Sequence, residues 1–342
     1  MTEQTPSRPS PSEPPSAGVA GREPTLRVVT LRGGRVSEWE GEAGLAEAIA
    51  DPAACTWIDL IEPTPGHVAA VAGLLGLHPL IAEDIVEGNQ RAKIEVTERL
   101  VHIVMFALDY TSSLQHTEID FVLGERFLLS VHSGRWNARA TGRLRDDLPS
   151  VLERGADHLL WGLVDAIVDA YFPCIDRLGD EIDDVQDQVI ARATPAVLQR
   201  LFDLKRELLA ARRATAPVRE IFNQLTNRDL ALIDHEEIIY FRDVYDHLIR
   251  LTDELDTYRE LASGTLDAYL STVNNNLSVI MKRLTGVTVI LAGVGAVAGV
   301  FGMSEAGTAF AGGEATGFWL VSGFAVLLAI GAAAFLRRID WI

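Results

Sequence analysis

The sequence predicts an α+β membrane protein with an N-terminal cytosolic α/β domain (residues 25–150), a long helical stalk (151–283) and two C-terminal transmembrane helices. Three observations predict it. Short alternating or β-branched runs are confined to the first part of the chain; everything after them reads as helix; and two uncharged stretches of 21 and 22 residues, following Arg283 and Glu314, close the sequence. Composition narrows the partners. The 342 residues carry 30 Lys+Arg against 48 Asp+Glu, a formal net charge of −18, with only three lysines. Phosphate contacts need clustered cations, so no nucleic acid is expected. Cys55 and Cys174 lie far apart with no CxxC spacing, which excludes a disulfide framework and a thiolate zinc site and fits a reduced, cytosolic setting. A mean hydropathy of +0.15 is high for so acidic a chain and directs attention to its apolar C-terminus.

Residues 1–24 hold Pro6, Pro9, Pro11, Pro14, Pro15 and Pro24 among serines and read as a disordered tail, because they bury too little apolar surface to offset ordering entropy. Strands are expected at Leu26 to Leu31, Cys55 to Leu60, Lys93 to Thr97, Val101 to Leu108, Glu118 to Leu123 and Phe127 to Val131, with helices near Ala43 to Ala50 and His67 to Leu75. This mixed domain ends near Leu148. A helix is then expected from about Asp157 to Arg192, ending before Pro195, and a second from Pro195 past Pro217. Val244, Leu248, Leu251, Leu255, Tyr258, Ala262, Leu266, Tyr269 and Val273 form one stripe at steps of mostly four and three. With no breaker between, Leu232 to Met303 reads as one helix of roughly 100 Å. A stripe on a lone helix would be exposed, so it packs on the preceding helices, on copies of itself, or on both; oligomerisation is the economical answer.

The transmembrane hairpin (284–342) comprises a first span at 284–303, a loop at 304–317, a second span at 318–336 and a basic C-terminus. Each span meets the roughly 20 apolar residues needed to cross about 30 Å of hydrocarbon. Lys282 and Arg283 precede the first span and Arg337 and Arg338 follow the second, while the loop carries only Glu305 and Glu314, so both termini are expected in the cytosol of a multi-pass inner-membrane protein. No apolar run lies in the first 24 residues, so no signal peptide is expected. Two helices cannot wall a polar path alone, so transport would require a ring of subunits. Gly295 and Gly299, with Ala292 and Ala296 beside them, give faces small enough for close helix approach.

Asp157 to Arg192 holds nine acidic residues against two arginines, and Leu232 to Ala262 nine against three. Such runs are ordinarily solvated helix faces. Hard divalent cations also choose carboxylate oxygen, and Mg²⁺ keeps most of its waters while binding one or two carboxylates. His247, beside Asp243 and Asp246, is the most distinctive of the eight histidines. Enzyme chemistry finds little support: His235-Glu236 begins a zinc-protease motif that fails at Ile239, no GxxxxGK[ST] occurs, and no organic cofactor is expected.

The segments YFRDVYDHLIRLTDELDTYRE (Tyr240 to Glu260) and HPLIAEDIVEGNQRAKIE (His78 to Glu95), the Gly302-Met303-Ser304 tripeptide and the terminal RRIDWI together resemble the CorA family of divalent cation channels over roughly His78 to Ile342. The resemblance implies a homopentameric funnel with five copies of the first span around a pore. It implies regulatory Mg²⁺ bound between subunits at Asp84 and Asp243, with Glu83 close by, in a channel for Mg²⁺, Co²⁺ or Ni²⁺ driven by membrane potential. It also implies that Ser278, Met281, Leu284, Thr288, Ala292, Gly295, Gly299, Gly302, Met303 and Ser304 face the axis, with Met281 and Leu284 as an apolar gate.

The mouth departs from the family pattern. The signature Gly-Met-Asn ends here in Ser304, and the family's MPEL is replaced by EAGTAFAGGEATGFW, in which Glu305 and Glu314 still offer rings of negative charge. GGEATGFW is similar to the loop of the ZntB branch, which carries zinc. A zinc transporter and a non-conducting, membrane-anchored metal sensor are the alternatives.

Overall fold

The central strands are buried along almost their whole length, so the sheet they form is covered on both faces. The computed structural model describes residues 24–88, 90–140, 142–228, 230–303, 314–339 and 341. The expected tail, apart from Pro24, and Ser304 and Glu305 lie outside the described residues, as does the loop up to residue 313. The chain divides into a first unit, running through Asp180 and including Lys205–Arg259, and a second, containing Glu181–Leu204 and the residues from Glu260 onward.

In the first unit, β1 (Thr25–Arg32), β2 (Arg35–Glu40), β3 (Ala54–Ile61), β4 (Lys93–Val96), β5 (Val101–Tyr110), β6 (Leu114–Leu123) and β7 (Phe127–His132) form one sheet in the order β2-β1-β3-β7-β6-β5-β4. The β3–β7 pair is parallel and every other pair antiparallel. On one face, Val28, Ile58, Leu60, Leu129 and Val131 pack with Leu45 of α1 (Leu45–Ala50), Val68 and Val71 of α2 (Pro65–Leu75), and Ile81 and Ile85 of α3 (Pro79–Glu87). Each fully buried aliphatic contributes about 1.5–3 kcal/mol. On the other face, Trp57, Phe121 and Leu128 are buried, and the chain leaves β7 through a 3-10 turn, η1 (Ala138–Ala140), into α4 (Gly142–Arg154) and α5 (Ala156–Asp169). Helix α5 contacts β3, β5, β6 and β7.

Two features in the helices differ from expectation. The helix expected from Asp157 to Arg192 is two, α5 and α6 (Tyr171–Arg192), separated at Ala170. Pro173 explains the break, since it has no N–H for the carbonyl four residues back and its ring collides with that group. The helix expected from Leu232 begins at Ile238 and runs to Met303 as α8. Just before it, Glu237 is buried, held by Arg154 Nη2 at 2.5 Å and His158 Nδ1 at 2.7 Å. Nearby Asp157 accepts from the backbone N–H groups of His158 and Asp234, and burial pushes its carboxyl pKa up against the effect of those bonds.

Helices α6, α7 (Pro195–Asn227) and α8 each bury one stripe. Tyr171, Ile175, Leu178 and Ile182 are covered on α6, Leu208, Ala211, Val218 and Phe222 on α7, and Val244, Leu248, Leu251 and Leu255 on α8. This part of the predicted stripe is therefore covered within a single chain. At Gly179 an added Cβ would come within 2.4 Å of the Tyr258 ring, so glycine permits that approach. In the second unit, Ala262, Thr265 and Tyr269 continue the buried side of α8, and Arg200 pairs with Glu181. The last helix, α9 (Glu314–Arg338), starts four residues before the expected Phe318, which puts Glu314 on a helix instead of in the loop.

Candidate metal centre

Helix α3 starts where His78 Nδ1 accepts from Leu80 N at 3.2 Å and Pro79 occupies the first turn. Ile81 and Ile85, one helical turn apart, anchor it to the sheet, which leaves Glu83 exposed and Asp84 half-buried. Asp84 is not idle. Lys93 Nζ on β4 donates to Asp84 Oδ2 at 2.5 Å and to Glu95 Oε1 at 2.8 Å. Burial lowers the Lys93 pKa, but the bonds to Asp84 and Glu95 outweigh it and hold the ammonium above its usual range.

Asp243 belongs to a different group. One turn along α8, His247 Nε2 lies 3.9 Å from Asp243 Oδ2, and its Nδ1 lies 3.5 Å from Asp169 Oδ1 on α5. Buried Val244 and Leu248 turn this side of α8 inward, while Phe172 meets His247 edge-on at 6.0 Å. One donor atom each from Asp165, Asp169 and His247 lies within 4.8 Å of the others. Three donors around one divalent ion stand about 3–4 Å apart, so the trio is within a small side-chain adjustment of ligating range. His247 Nδ1 is buried and has no hydrogen-bond partner among the described residues, which is the condition a cation would relieve. Carboxylate oxygen suits Mg²⁺, whereas an imidazole nitrogen suits Co²⁺, Ni²⁺ or Zn²⁺.

Asp84 and Asp243 thus have separate partners within the chain. Asp165 and Asp169 went unselected from sequence. Their signal was an i,i+4 carboxylate pair in a helix otherwise lined with apolar side chains, ADHLLWGLVDAIVD.

The remaining expected residues, Ser278 to Met303, lie on α8. At about 100° per residue, Ser278, Met281, Leu284, Thr288, Ala292, Gly295, Gly299, Gly302 and Met303 fall within an arc of about 120°. Thr288 Oγ1 donates to the Leu284 carbonyl at 2.8 Å and Ser278 Oγ to the Asn274 carbonyl at 3.0 Å, so both hydroxyl protons are engaged by the backbone. Met281 and Leu284 are each 66% exposed, and Val289, Leu291 and Val300 are exposed beside them. Such continuous apolar exposure demands lipid or protein cover. Helix α9, with 25 residues, is about 37 Å long and exposes Leu320, Phe324, Leu327 and Phe335. Both helices are long and apolar enough to cross a bilayer. Helices α5 and α6 taken end to end, Ala156–Arg192, pass a similar test of length and composition but are largely buried there, as core helices are.

The family profile described as CorA-like Mg²⁺ transporter protein matches residues 52–338. The chain is 35% identical over 263 residues to the cobalt/magnesium transport protein CorA of Thermotoga maritima, spanning 74% of each protein. Among solved structures it is similar to the complete CorA magnesium transporter from Methanocaldococcus jannaschii, with a TM-score of 0.75 at 23% identity over 92% of this chain and 98% of that one. It is likewise similar to the full-length CmaX protein, with a TM-score of 0.72 at 21% identity over 95% of this chain and all of the other. At these identities the two structures speak to the fold.

Proposed function

This chain belongs to the CorA-like Mg²⁺ transporter family, a family of transporters and not of enzymes, and from that premise we propose that it is a homopentameric channel passing Mg²⁺, with Co²⁺ or Ni²⁺, inward across the inner membrane. The observation that supports this most directly is the unbroken α8, which carries Asp243 and His247 near one end and the one-sided arc of Ser278 to Met303 toward the other. Five copies of the arc would wall a water-filled path that two helices per chain cannot enclose. At about 100 mV a divalent ion gains about 4.6 kcal/mol, twice the value for one charge, which suffices as driving force without ATP.

In this reading Lys282, Arg283, Arg337 and Arg338 hold both termini in the cytosol. Met281 and Leu284 close the path by dewetting. Gly302, Met303 and a ring of Ser304 hydroxyls form the mouth, where Glu305 and Glu314 concentrate cations. Cytosolic Mg²⁺ bridges Asp84 of one subunit and Asp243 of the next, with Glu83 beside it, and holds the negatively charged stalks together. When Mg²⁺ is scarce these sites empty, the stalks separate and the path opens.

Uptake of Mg²⁺ into liposomes under an imposed potential tests the channel. Gly302→Trp should abolish it, and unchanged uptake in that variant would refute the assignment of the arc. A second reading, favoured by the imidazole of His247 in the donor set, is a transporter of softer cations, Zn²⁺ included. Zn²⁺ flux that Mg²⁺ does not compete away would select it. Metal-dependent ordering of the stalk with no flux of any ion would mark a sensor.

A further inference from the structure

Away from every residue assigned to ions, a cleft of about 290 Å³ opens where β3 and β7 end, lined by Arg27, Asp59, His132, Trp136 and Arg139 among others. The connections leaving this parallel pair diverge. After β3 the chain forms α2 and α3 over one face of the sheet, and after β7 it forms η1, α4 and α5, with α5 over the other. Strand carboxyl ends at such a switch point are where open α/β sheets bind ligands.

The floor of the cleft is a carboxylate that the described residues bond through one of its two oxygens. Asp59 is 2% exposed, and its Oδ1 accepts from Ser130 Oγ at 2.6 Å and faces His132 Nε2 at 3.1 Å. Oδ2 accepts from no described residue. Ser130 is fixed in turn by Trp57 Nε1 at 2.9 Å, and His132 by the Ser133 carbonyl at 2.7 Å and the Trp136 ring at 4.8 Å. Arg27 stands directly across from Asp59 in the β1–β3 register, where opposite charges ordinarily pair. Instead its Nε lies 3.6 Å from Glu38 Oε1, and Arg139 also binds Glu38, through Nη1 at 2.8 Å and Nη2 at 2.9 Å. Arg139 Nε has no partner among the described residues.

The mouth is strained as well. Glu62, immediately after β3, has φ 51, the one positive value at a non-glycine among the described residues. Its N–H donates to the His132 carbonyl at 3.0 Å and its carboxylate accepts from Gly134 N at 2.9 Å, which fixes the loop that frames the cleft.

We propose that this cleft binds a small zwitterion, an α-amino acid, whose ammonium donates to Asp59 Oδ2 and whose carboxylate meets the guanidinium groups of Arg139 and Arg27. Charge selects the class. At the rim two arginines share one Glu38, which leaves a positive excess for a carboxylate, while at the floor His132 meets only Oδ1 of Asp59, so a lone cation would face the guanidinium rim, a lone anion would bring Oδ2 no donor, and a zwitterion leaves each end paired.

The test uses the purified full-length protein in detergent at fixed Mg²⁺, its unfolding midpoint recorded with each common L-α-amino acid in turn, with the matching primary amine, with the matching carboxylic acid, and with adenosine monophosphate. At least one amino acid should raise the midpoint, and the amine and acid should not. Asp59→Asn and Arg139→Gln should each weaken that amino acid at least about tenfold. Arg139 is only partly buried at the rim, so its variant carries the test if Asp59→Asn folds poorly. The proposal fails if no amino acid shifts the midpoint, if the amine, the acid or the nucleotide protects as well, or if Arg139→Gln binds like the parent.

Discussion

Replacing Asp169 by asparagine should change sign in its effect on stability when a divalent cation is added. Asp165 and Asp169 are one turn apart on α5, and their donor atoms lie within 4.8 Å of each other and of His247. At that limit two negative charges repel by about 0.9 kcal/mol at the dielectric constant of water and about 3.5 kcal/mol at an effective value of 20. The Asp169 side chain is 59% exposed, so the lower figure governs. In EDTA, Asp169→Asn should therefore be more stable than the parent by about 0.5–1 kcal/mol. With a cation at a hundred times its dissociation constant, the parent gains about 2.7 kcal/mol. Loss of one ligand that weakens binding about tenfold to a hundredfold removes about 1.3–2.3 kcal/mol of this, which leaves the variant less stable than the parent by about 0.3–1.8 kcal/mol. Urea unfolding of the full-length protein in detergent, followed by tryptophan fluorescence with EDTA and then with Mg²⁺ or Co²⁺, reads both conditions. A difference of the same sign in the two would refute the argument that these three groups share one ion.

Gly179→Ala places a methyl within 2.4 Å of the Tyr258 ring and should cost about 1–3 kcal/mol in the same assay. The loss should shrink when Tyr258→Ala is added, and strictly additive losses would contradict the contact. The Asp157 carboxyl has a raised pKa in the folded state, so its contribution is fully present below its ordinary 3.8 and is lost as pH rises through the raised value. The parent should accordingly lose stability relative to Asp157→Asn as the pH rises from below 3.8 through the raised value. A flat or rising difference over that interval would count against burial as the cause.

The apolar pattern makes most of the architecture legible in the sequence. Six strands, the long final stalk helix and both apolar terminal helices follow from period, length and proline position. The elements that escaped carry weaker signals. Strand β2, RVSEWE, is an edge strand whose side chains are nearly all exposed, so it has no apolar alternation to read. Helix α3 is nine residues long and buries only Ile81 and Ile85. The interruption at Ala170 was announced by Pro173, which stands in the first turn of α6, where proline is tolerated, and so reads as compatible with helix. At the candidate centre, motif resemblance selected Asp243, whereas the cluster is formed by its neighbour His247 with Asp165 and Asp169 of α5, far away in sequence. Only packing of α8 against α5 brings His247 to Asp169. Asp84 was selected for its carboxylate, whereas its partner Lys93 became visible only when β4 was placed beside α3.

That partner changes what filling the site would mean. A carboxylate that already holds an ammonium does not wait as a bare charge; a divalent ion arriving there trades places with a tethered competitor. Ion binding at Asp84, as proposed, would then be an exchange reaction with a threshold set by Lys93, and occupancy would begin only once the free ion is abundant enough to displace a cation fixed a few ångströms away. A resident lysine of this kind would keep the response in the upper range of ion supply and spare the folded chain an unneutralised charge whenever supply is low.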